Sequence, residues 1–237
     1  MLLQVTAQNY KKSGYYLKGH TVIVVDVLRA TSSIIWACRN GATKVIPAAD
    51  PGEGASMAAR MGGCLLAGER DGLKLPGFDL GNSPSEFTRD TVQGKTIVIS
   101  TTNGTGAIRN MESAGNLLIG GMLNRTAVAK RAVELGNDII IACAGTEGEF
   151  SADDILAAGC IASAIVSLTE LDEQCDLTIV SRLVYESWKK GSMDIAATHH
   201  YRHLVEMGFI EDARFCLQED VTDVVPVYNN GMIQPMA

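Results

Sequence analysis

At 237 residues, 46% hydrophobic and 20% charged, the chain has the composition of an ordinary soluble globular protein, long enough for one large domain or two small ones. Lys plus Arg number 20 against 27 Asp plus Glu, a formal net charge of −7 with no long basic run, which argues against nucleic acid as a partner. No stretch approaches the ~20 apolar residues that cross a bilayer, MLLQVTAQNYKKSGYY lacks the order of a signal peptide, and six scattered cysteines without a C-x-x-C pair fit free thiols, so a cytoplasmic protein without membrane contact is expected.

Val22–Val25 is a run of four apolar β-branched residues and reads as a fully buried strand. Asp26 stands where it ends, followed by Arg29 and the hydroxyls of Thr31, Ser32 and Ser33. Ligands of open α/β sheets bind outside the carboxyl ends of strands. The segment therefore offers a carboxylate for a metal or for general-base work, an arginine for an anion, and a helix N-terminus. The plainer alternative is that Asp26 starts a turn and Thr31 or Ser32 caps the helix. A helix over Glu53–Met61 leads to a strand at Cys64–Ala67. Gly68-Glu69-Arg70-Asp71-Gly72 then reads as a charged turn at a strand end. Glu69 could join Asp26 around a hard cation, and Arg70 could grip a carboxylate or sulfonate; a solvated turn is the alternative. Arg70–Pro84 is a loop long enough to suggest function and carries Asp79 and Asn82. It ends in Ser83-Pro84-Ser85-Glu86, which has the order of a capping box with Pro at the first helical position.

Thr96–Ser100 predicts a second buried strand, followed by Thr101-Thr102-Asn103-Gly104-Thr105-Gly106. That loop is neither a P-loop nor G-x-G-x-x-G. Its amides and hydroxyls could surround phosphate or sulfonate oxygens, or it could be a generic glycine turn. A helix over Arg125–Glu134 and a strand over Asp138–Ala142 follow. An apolar helix is predicted from Ser151 through Ala164, with Glu149, Asp153 and Asp154 as metal or catalytic acids or as parts of a cap. Asp176–Lys190 and Thr198–Met207 read as amphipathic helices. The second holds His199, His200 and His203; the i,i+4 pair could bind a transition metal, but without H-E-x-x-H a solvated or partly packed helix face is the expectation. Val224–Tyr228 reads as a late edge strand, where Pro226 is tolerated.

The chain also repeats itself. Arg29-Ala30-Thr31 falls over Asn103-Gly104-Thr105 at an offset of 103 − 29 = 74, which Ile34 and Ile108, Gly41 and Gly115, and Val45 and Ile119 keep. We read one compact domain over 1–237, with halves at 19–93 and 94–175 and a helical extension at 176–237. The expected fold is a three-layer α/β/α sandwich on a mainly parallel or mixed sheet, with the equivalent strand-end loops sharing one cleft.

The segments DVLRATSS (26–33), AGERDG (67–72), GFDLGNSP (77–84), STTNGT (100–105), CAGTEGEFSADD (143–154) and Val225-Pro226 occur in that order. Together they resemble the 2-phosphosulfolactate phosphatase (ComB) family from Val22 to Tyr228. The resemblance implies an α/β/α fold of two related halves and magnesium-dependent hydrolysis of (2R)-2-phospho-3-sulfolactate to 3-sulfolactate and phosphate. In methanogenic archaea this is a step of coenzyme M biosynthesis; members in organisms that make no coenzyme M would act on another small phosphorylated acid. On this chain it implies Mg²⁺ on Asp26, Glu69 and Asp154, and catalytic roles for Asp26, Arg29 and Glu69. The substrate's anionic groups would lie on Arg29, Thr31, Arg70, Asn82, Thr101, Thr102, Asn103, Gly104 and Thr105. In-line attack by water and a covalent phospho-aspartate on Asp26 are the two mechanisms left open. Ala152-Asp153-Asp154 departs from the Glu-Asp pair expected after Phe-Ser, and Asp154 is preferred to Asp153 as the ligand. A non-catalytic sensor for a phosphorylated or sulfonated metabolite is the rival class, but it has no use for acids at strand ends. A homo-oligomer stays open.

Overall fold

The β-branched runs pair into one mixed sheet, and the segments between them cover its two faces. The computed structural model describes residues 1–7 and 14–236, so part of the opening segment weighed above as a signal peptide lies outside the described residues. In chain order the elements are β1 (Leu2–Thr6), α1 (Gly14–Leu17), β2 (His20–Val25), α2 (Ala30–Arg39), β3 (Lys44–Pro47), α3 (Pro51–Met61), β4 (Leu65–Arg70) and β5 (Leu73–Lys74). Then come α4 (Arg89–Val92), β6 (Thr96–Ser100), α5 (Gly104–Asn110), β7 (Asn116–Gly120), α6 (Arg125–Glu134), β8 (Asp138–Cys143) and α7 (Ala152–Leu168). The chain closes with β9 (Glu173–Gln174), α8 (Asp176–Lys189), α9 (His199–Glu206), α10 (Ile210–Cys216), β10 (Pro226–Asn229) and β11 (Met232–Pro235).

Side chains alternate across a strand. On β2, Val22 and Val24 pack with α2 and α5 through Ile34, Ile35 and Ile108. Ile23 and Val25 pack instead with α6 and α7 through Val128, Leu156 and Ile161. Burial on both faces explains why this strand reads as a continuous apolar run. The result is the expected three-layer sandwich. Among the described residues no helix is long and apolar enough to cross a membrane.

The strand order is β5-β4-β6-β3-β11-β10-β7-β2-β8-β1-β9. The block β4-β6-β3 is parallel, as is the block β7-β2-β8-β1-β9. The antiparallel hairpin β10–β11 joins them. The two halves read from the sequence do not keep to themselves. Strand β6 of the second lies between β4 and β3 of the first, and β2 of the first lies between β7 and β8 of the second. Thr31 and Thr105, paired at the 74-residue offset, make the same bonds. Each hydroxyl donates to the main-chain carbonyl that opens its loop, Asp26 O at 2.9 Å and Thr101 O at 3.1 Å, and accepts from the same residue's amide.

Four local expectations are corrected. The Val224–Tyr228 strand is not an edge: β10 sits in the middle of the sheet, between β11 and β7. Pro226 is its first residue, and pairing to β7 begins only at Val227, so the missing proline N–H costs no ladder bond there. The segment read as a helical extension thus supplies the centre of the sheet. Ser83-Pro84-Ser85-Glu86 is a 3-10 turn without a capping box; Ser83 Oγ makes no cap bond, and the Glu86 carboxylate accepts from the Gly81 amide at 3.0 Å. Strand β4 runs on through Glu69 and Arg70 and turns at Asp71-Gly72 into β5, so those two side chains belong to a strand rather than to a turn. The opening residues, read only for targeting, form β1 beside β8.

Candidate active site

The end of β2 from one parallel block meets the ends of β4 and β6 from the other. Asp26 follows the fully buried β2 and is itself 7% exposed. Its Oδ1 accepts from the Ala30 amide at 3.2 Å at the start of α2. Both readings of this segment therefore hold a part: the carboxylate does touch a helix start, and it also lines a cleft. Thr31, by contrast, spends its hydroxyl on the main chain of Asp26 and does not line the cleft.

Arg29 is buried beside it. Its Nη1 donates to Asp212 Oδ2 of α10 at 2.6 Å and its Nη2 to the Gly72 carbonyl at 2.7 Å. The guanidinium lies 4.0 Å over the Phe209 ring. A buried cation survives only when paired and hydrogen-bonded, and Asp212 supplies that pairing; its other oxygen accepts from Ser83 Oγ at 2.6 Å. Asp212 and Phe209 lie near the end of a chain in which nothing marks them, so the sequence reading missed both.

Glu69 organises the loop after β6. Its Oε1 accepts from the Thr102 amide at 2.7 Å, and its Oε2 from Thr102 Oγ1 at 3.1 Å and the Gly72 amide at 2.8 Å. Thr101 and Thr105 bond each other, Thr105 N donating to Thr101 Oγ1 at 3.1 Å and Thr101 N to Thr105 Oγ1 at 3.2 Å. The amides of Thr101, Thr102 and Thr105, expected around an anion, are thus already engaged. Of this loop, Thr102 and Asn103 line the cleft, and Asn103 Oδ1 also accepts from the Glu147 amide at 3.0 Å. Gly104 lets the loop reach Asp26: a Cβ there would lie 2.6 Å from Asp26 Oδ2 and 2.5 Å from Ala30 Cβ. Arg70 turns away, donating to the Glu69 carbonyl at 2.7 Å and to Ser100 Oγ at 3.2 Å, and is not part of the cleft wall.

Of the residues singled out from the sequence, Asp26, Arg29, Glu69, Asn82, Thr102 and Asn103 meet in one cleft of about 80 Å³, joined by Thr146, Glu147, His200 and His203. Asn82 is 5% exposed, and its Oδ1 has no hydrogen-bond partner. A buried acceptor left open marks a place for a ligand or a water. His199 is exposed and outside the cleft, whereas His200 donates from Nδ1 to Asp153 Oδ2 at 3.0 Å.

The preference for Asp154 over Asp153 is not supported by geometry. Asp154 Oδ1 accepts from Val27 N at 2.9 Å and Oδ2 from Gly145 N at 3.0 Å, so both oxygens tie together the loops after β2 and β8. It neither caps α7 nor lines the cleft. Ser151, the residue before α7, makes no cap bond either and bonds Asp153 Oδ1 instead. Glu149 is exposed, and Asp79 holds the Leu66 amide at 2.8 Å.

Burial is the main force on the ionisable groups here. It pushes Asp26 up to about 6, against His200 and the Ala30 amide and with help from Glu69 and Asp153. It pushes Asp154 well above the carboxylate range, with Asp153 and Asp26 adding to it. For His200 burial works downward but is outweighed by the bond to and charge of Asp153 and by the charge of Asp26, so the ring is raised above its ordinary value.

Among the described residues no three His, Cys, Asp or Glu side chains gather as a metal-holding group. The set Asp26, Glu69 and Asp154 is therefore not assembled, because Asp154 does not line the cleft. Magnesium takes only one or two carboxylates beside water and substrate oxygens. Asp26 and Glu69, which line one cleft, fit that smaller demand.

The model of a family described as 2-phosphosulpholactate phosphatase matches residues 6–231. A protein of Clostridium acetobutylicum named "Probable 2-phosphosulfolactate phosphatase" is 40% identical over 218 residues, covering 92% of this chain and 93% of that one. A protein of the same name from Caldanaerobacter subterraneus subsp. tengcongensis is 43% identical over 221 residues, 92% and 91% of the two chains. A third, from Caldicellulosiruptor saccharolyticus, is 36% identical over 237 residues, 97% of this chain and 98% of its own.

Proposed function

The chain belongs to the 2-phosphosulpholactate phosphatase family, and we propose that it hydrolyses 2-phospho-3-sulfolactate to 3-sulfolactate and phosphate with Mg²⁺ as cofactor. The observation that carries this reading is the pairing of a buried acid, Asp26, with a buried cation, Arg29, in one cleft. A pure anion binder gains nothing from Asp26, which repels its ligand. An enzyme that holds a divalent cation against phosphoryl oxygens needs such an acid.

Asp26 and Glu69 would hold the magnesium, which when bound supplies Lewis-acid neutralisation of the phosphoryl charge. Arg29 is fixed by Asp212, Gly72 and Phe209, so its charge is preorganised for the developing negative charge and needs no rearrangement during reaction. Asn82 Oδ1 accepts a hydrogen bond from water in the cleft. Asp26 either stands by while water attacks phosphorus in line or attacks it itself; trapping a phospho-aspartate separates the two. A cytoplasmic site of action and a place in coenzyme M synthesis, where the cell makes it, belong to this reading. So does another small phosphorylated acid as substrate where it does not.

The test is phosphate release from 2-phospho-3-sulfolactate with Mg²⁺ and with excess EDTA, beside phospholactate and phosphoglycerate. Release that EDTA abolishes and that is fastest for the sulfonate supports the whole reading. Faster release from another of the three moves the substrate and leaves the chemistry. No release from any of them moves the function toward another substrate or a binding module.

A further inference from the structure

His200 occupies a place in this cleft that the proposed roles of Asp26, Arg29 and Glu69 leave unexplained. Asp153, 1% exposed, has Ser151 on one oxygen and His200 Nδ1 on the other at 3.0 Å. A buried carboxylate on Nδ1 fixes the ring's orientation and makes Nδ1 the proton-bearing atom toward Asp153. His200 lines the same cleft as Asp26 and Arg29, so Nε2 is the nitrogen a ligand can meet. A helix face that only solvates itself would not spend a buried carboxylate on one of its histidines. The neighbouring His199 and His203 are exposed.

Resting on the phosphatase reading, we propose that His200 is a catalytic residue, the general acid that protonates the leaving oxygen, and that Asp153 is its positioning residue. The bond between phosphorus and the ester oxygen breaks, and its electron pair stays on that oxygen. The ring acts from its imidazolium form: the oxygen takes the Nε2 proton and departs as the hydroxyl of the product, leaving a neutral ring with its proton on Nδ1 toward Asp153. The attacking water forms the new bond to phosphorus, its surplus proton passes to solvent, and solvent reprotonates the ring. A secondary alkoxide is a poor leaving group, so a proton donor is worth most on such a substrate.

The experiment compares His200→Gln with the parent enzyme on two substrates: the alkyl ester 2-phospho-3-sulfolactate and the aryl ester 4-nitrophenyl phosphate, whose leaving group needs no proton. Loss of a general acid lowers kcat on the alkyl ester by about 10²- to 10⁴-fold. KM should stay within about threefold, and the loss on the aryl ester should stay below about tenfold. Asp153→Asn, which keeps the ring, should show the same leaving-group pattern with a smaller loss, and it stands in if His200→Gln does not fold. Equal losses on both esters, or a rise in KM with kcat intact, overturn the proposal and leave His200 as the counter-ion of Asp153 or a substrate contact. If the parent enzyme releases phosphate from neither of these esters nor from phospholactate or phosphoglycerate, the phosphatase reading falls, and this proposal with it.

Discussion

Gly104→Ala is the sharpest probe of how this site is built. The added Cβ would lie 2.5 Å from Ala30 Cβ and 2.6 Å from Asp26 Oδ2. Carbon atoms sit about 3.5–4.0 Å apart at their best separation, so the loop after β6 and the loop after β2 must part by roughly 1 Å. Ala30 Cβ cannot swing aside, because it has no rotamer; the Asp26 carboxylate, bonded only through Oδ1 to the Ala30 amide, can give more easily. Overpacking of this kind costs about 1–3 kcal/mol, and at about 2–4 °C per kcal/mol for a chain of this size Tm should fall by roughly 2–12 °C. Displacing catalytic groups by about 1 Å costs on the order of 100-fold in rate. Gly106→Ala is the control. Its Cβ would meet nothing within 4 Å, and in the same short helix it should leave activity alone and hold or raise Tm. Thermal unfolding and phosphate release from the two variants decide the matter. A Gly104→Ala enzyme with the parent's Tm and kcat would show that the two loops do not approach as described.

Three further outcomes follow from the carboxylates around the cleft. Asp212→Ala leaves the buried Arg29 charge without its partner and should cost about 3–5 kcal/mol in urea unfolding; a cost under about 1 kcal/mol would mean that Arg29 is not held this way. Asp154→Ala strands the amides of Val27 and Gly145 and should cost about 1–3 kcal/mol for each, while the magnesium concentration for half-maximal activity stays put. A large rise in that concentration at unchanged stability would return Asp154 to the metal. Glu69→Gln replaces an acceptor of three hydrogen bonds by a group with one acceptor oxygen, and it removes a proposed ligand. Its half-maximal magnesium concentration should rise at least about tenfold, and an unaltered magnesium titration would confine Glu69 to holding the loop.

Periodicity made the elements legible wherever burial on both sheet faces left a continuous apolar run, as at Val22–Val25, or where one helix face was apolar, as over Arg125–Glu134. It failed at β10, because a proline in a short strand argues for an edge unless the proline opens the strand, and pairing partners are invisible in sequence. It failed also at the exchange of strands between the halves. Order within a sheet is a matter of which strand packs beside which, and β2 and β6 carry no mark of their neighbours. The Asp26–Arg29 loop was legible because strand, acid and arginine are contiguous. Asp212 lies 183 residues from Arg29, and only the fold joins them. His200 was read as one of three helix histidines, and what sets it apart is Asp153, 47 residues earlier.

The acids themselves carry the remaining lesson. Four carboxylates around this cleft are occupied with other parts of the protein: Glu69 with Thr102 and Gly72, Asp153 with Ser151 and His200, Asp154 with Val27 and Gly145, Asp212 with Arg29 and Ser83. Each occupied oxygen has a donor that helps offset its desolvation. Among the described residues the Asp26 carboxylate receives a hydrogen bond only from the Ala30 amide, at the long distance of 3.2 Å, although it is equally buried. Burial raises it to about 6. A buried carboxylate with one long hydrogen bond is stabilised by whatever positive charge enters the cleft. Counting strand-end acids in the sequence treats Asp26, Glu69 and Asp154 alike. Counting the donors each one already has singles out Asp26 as the acid of the proposed site with the most acceptor positions left open.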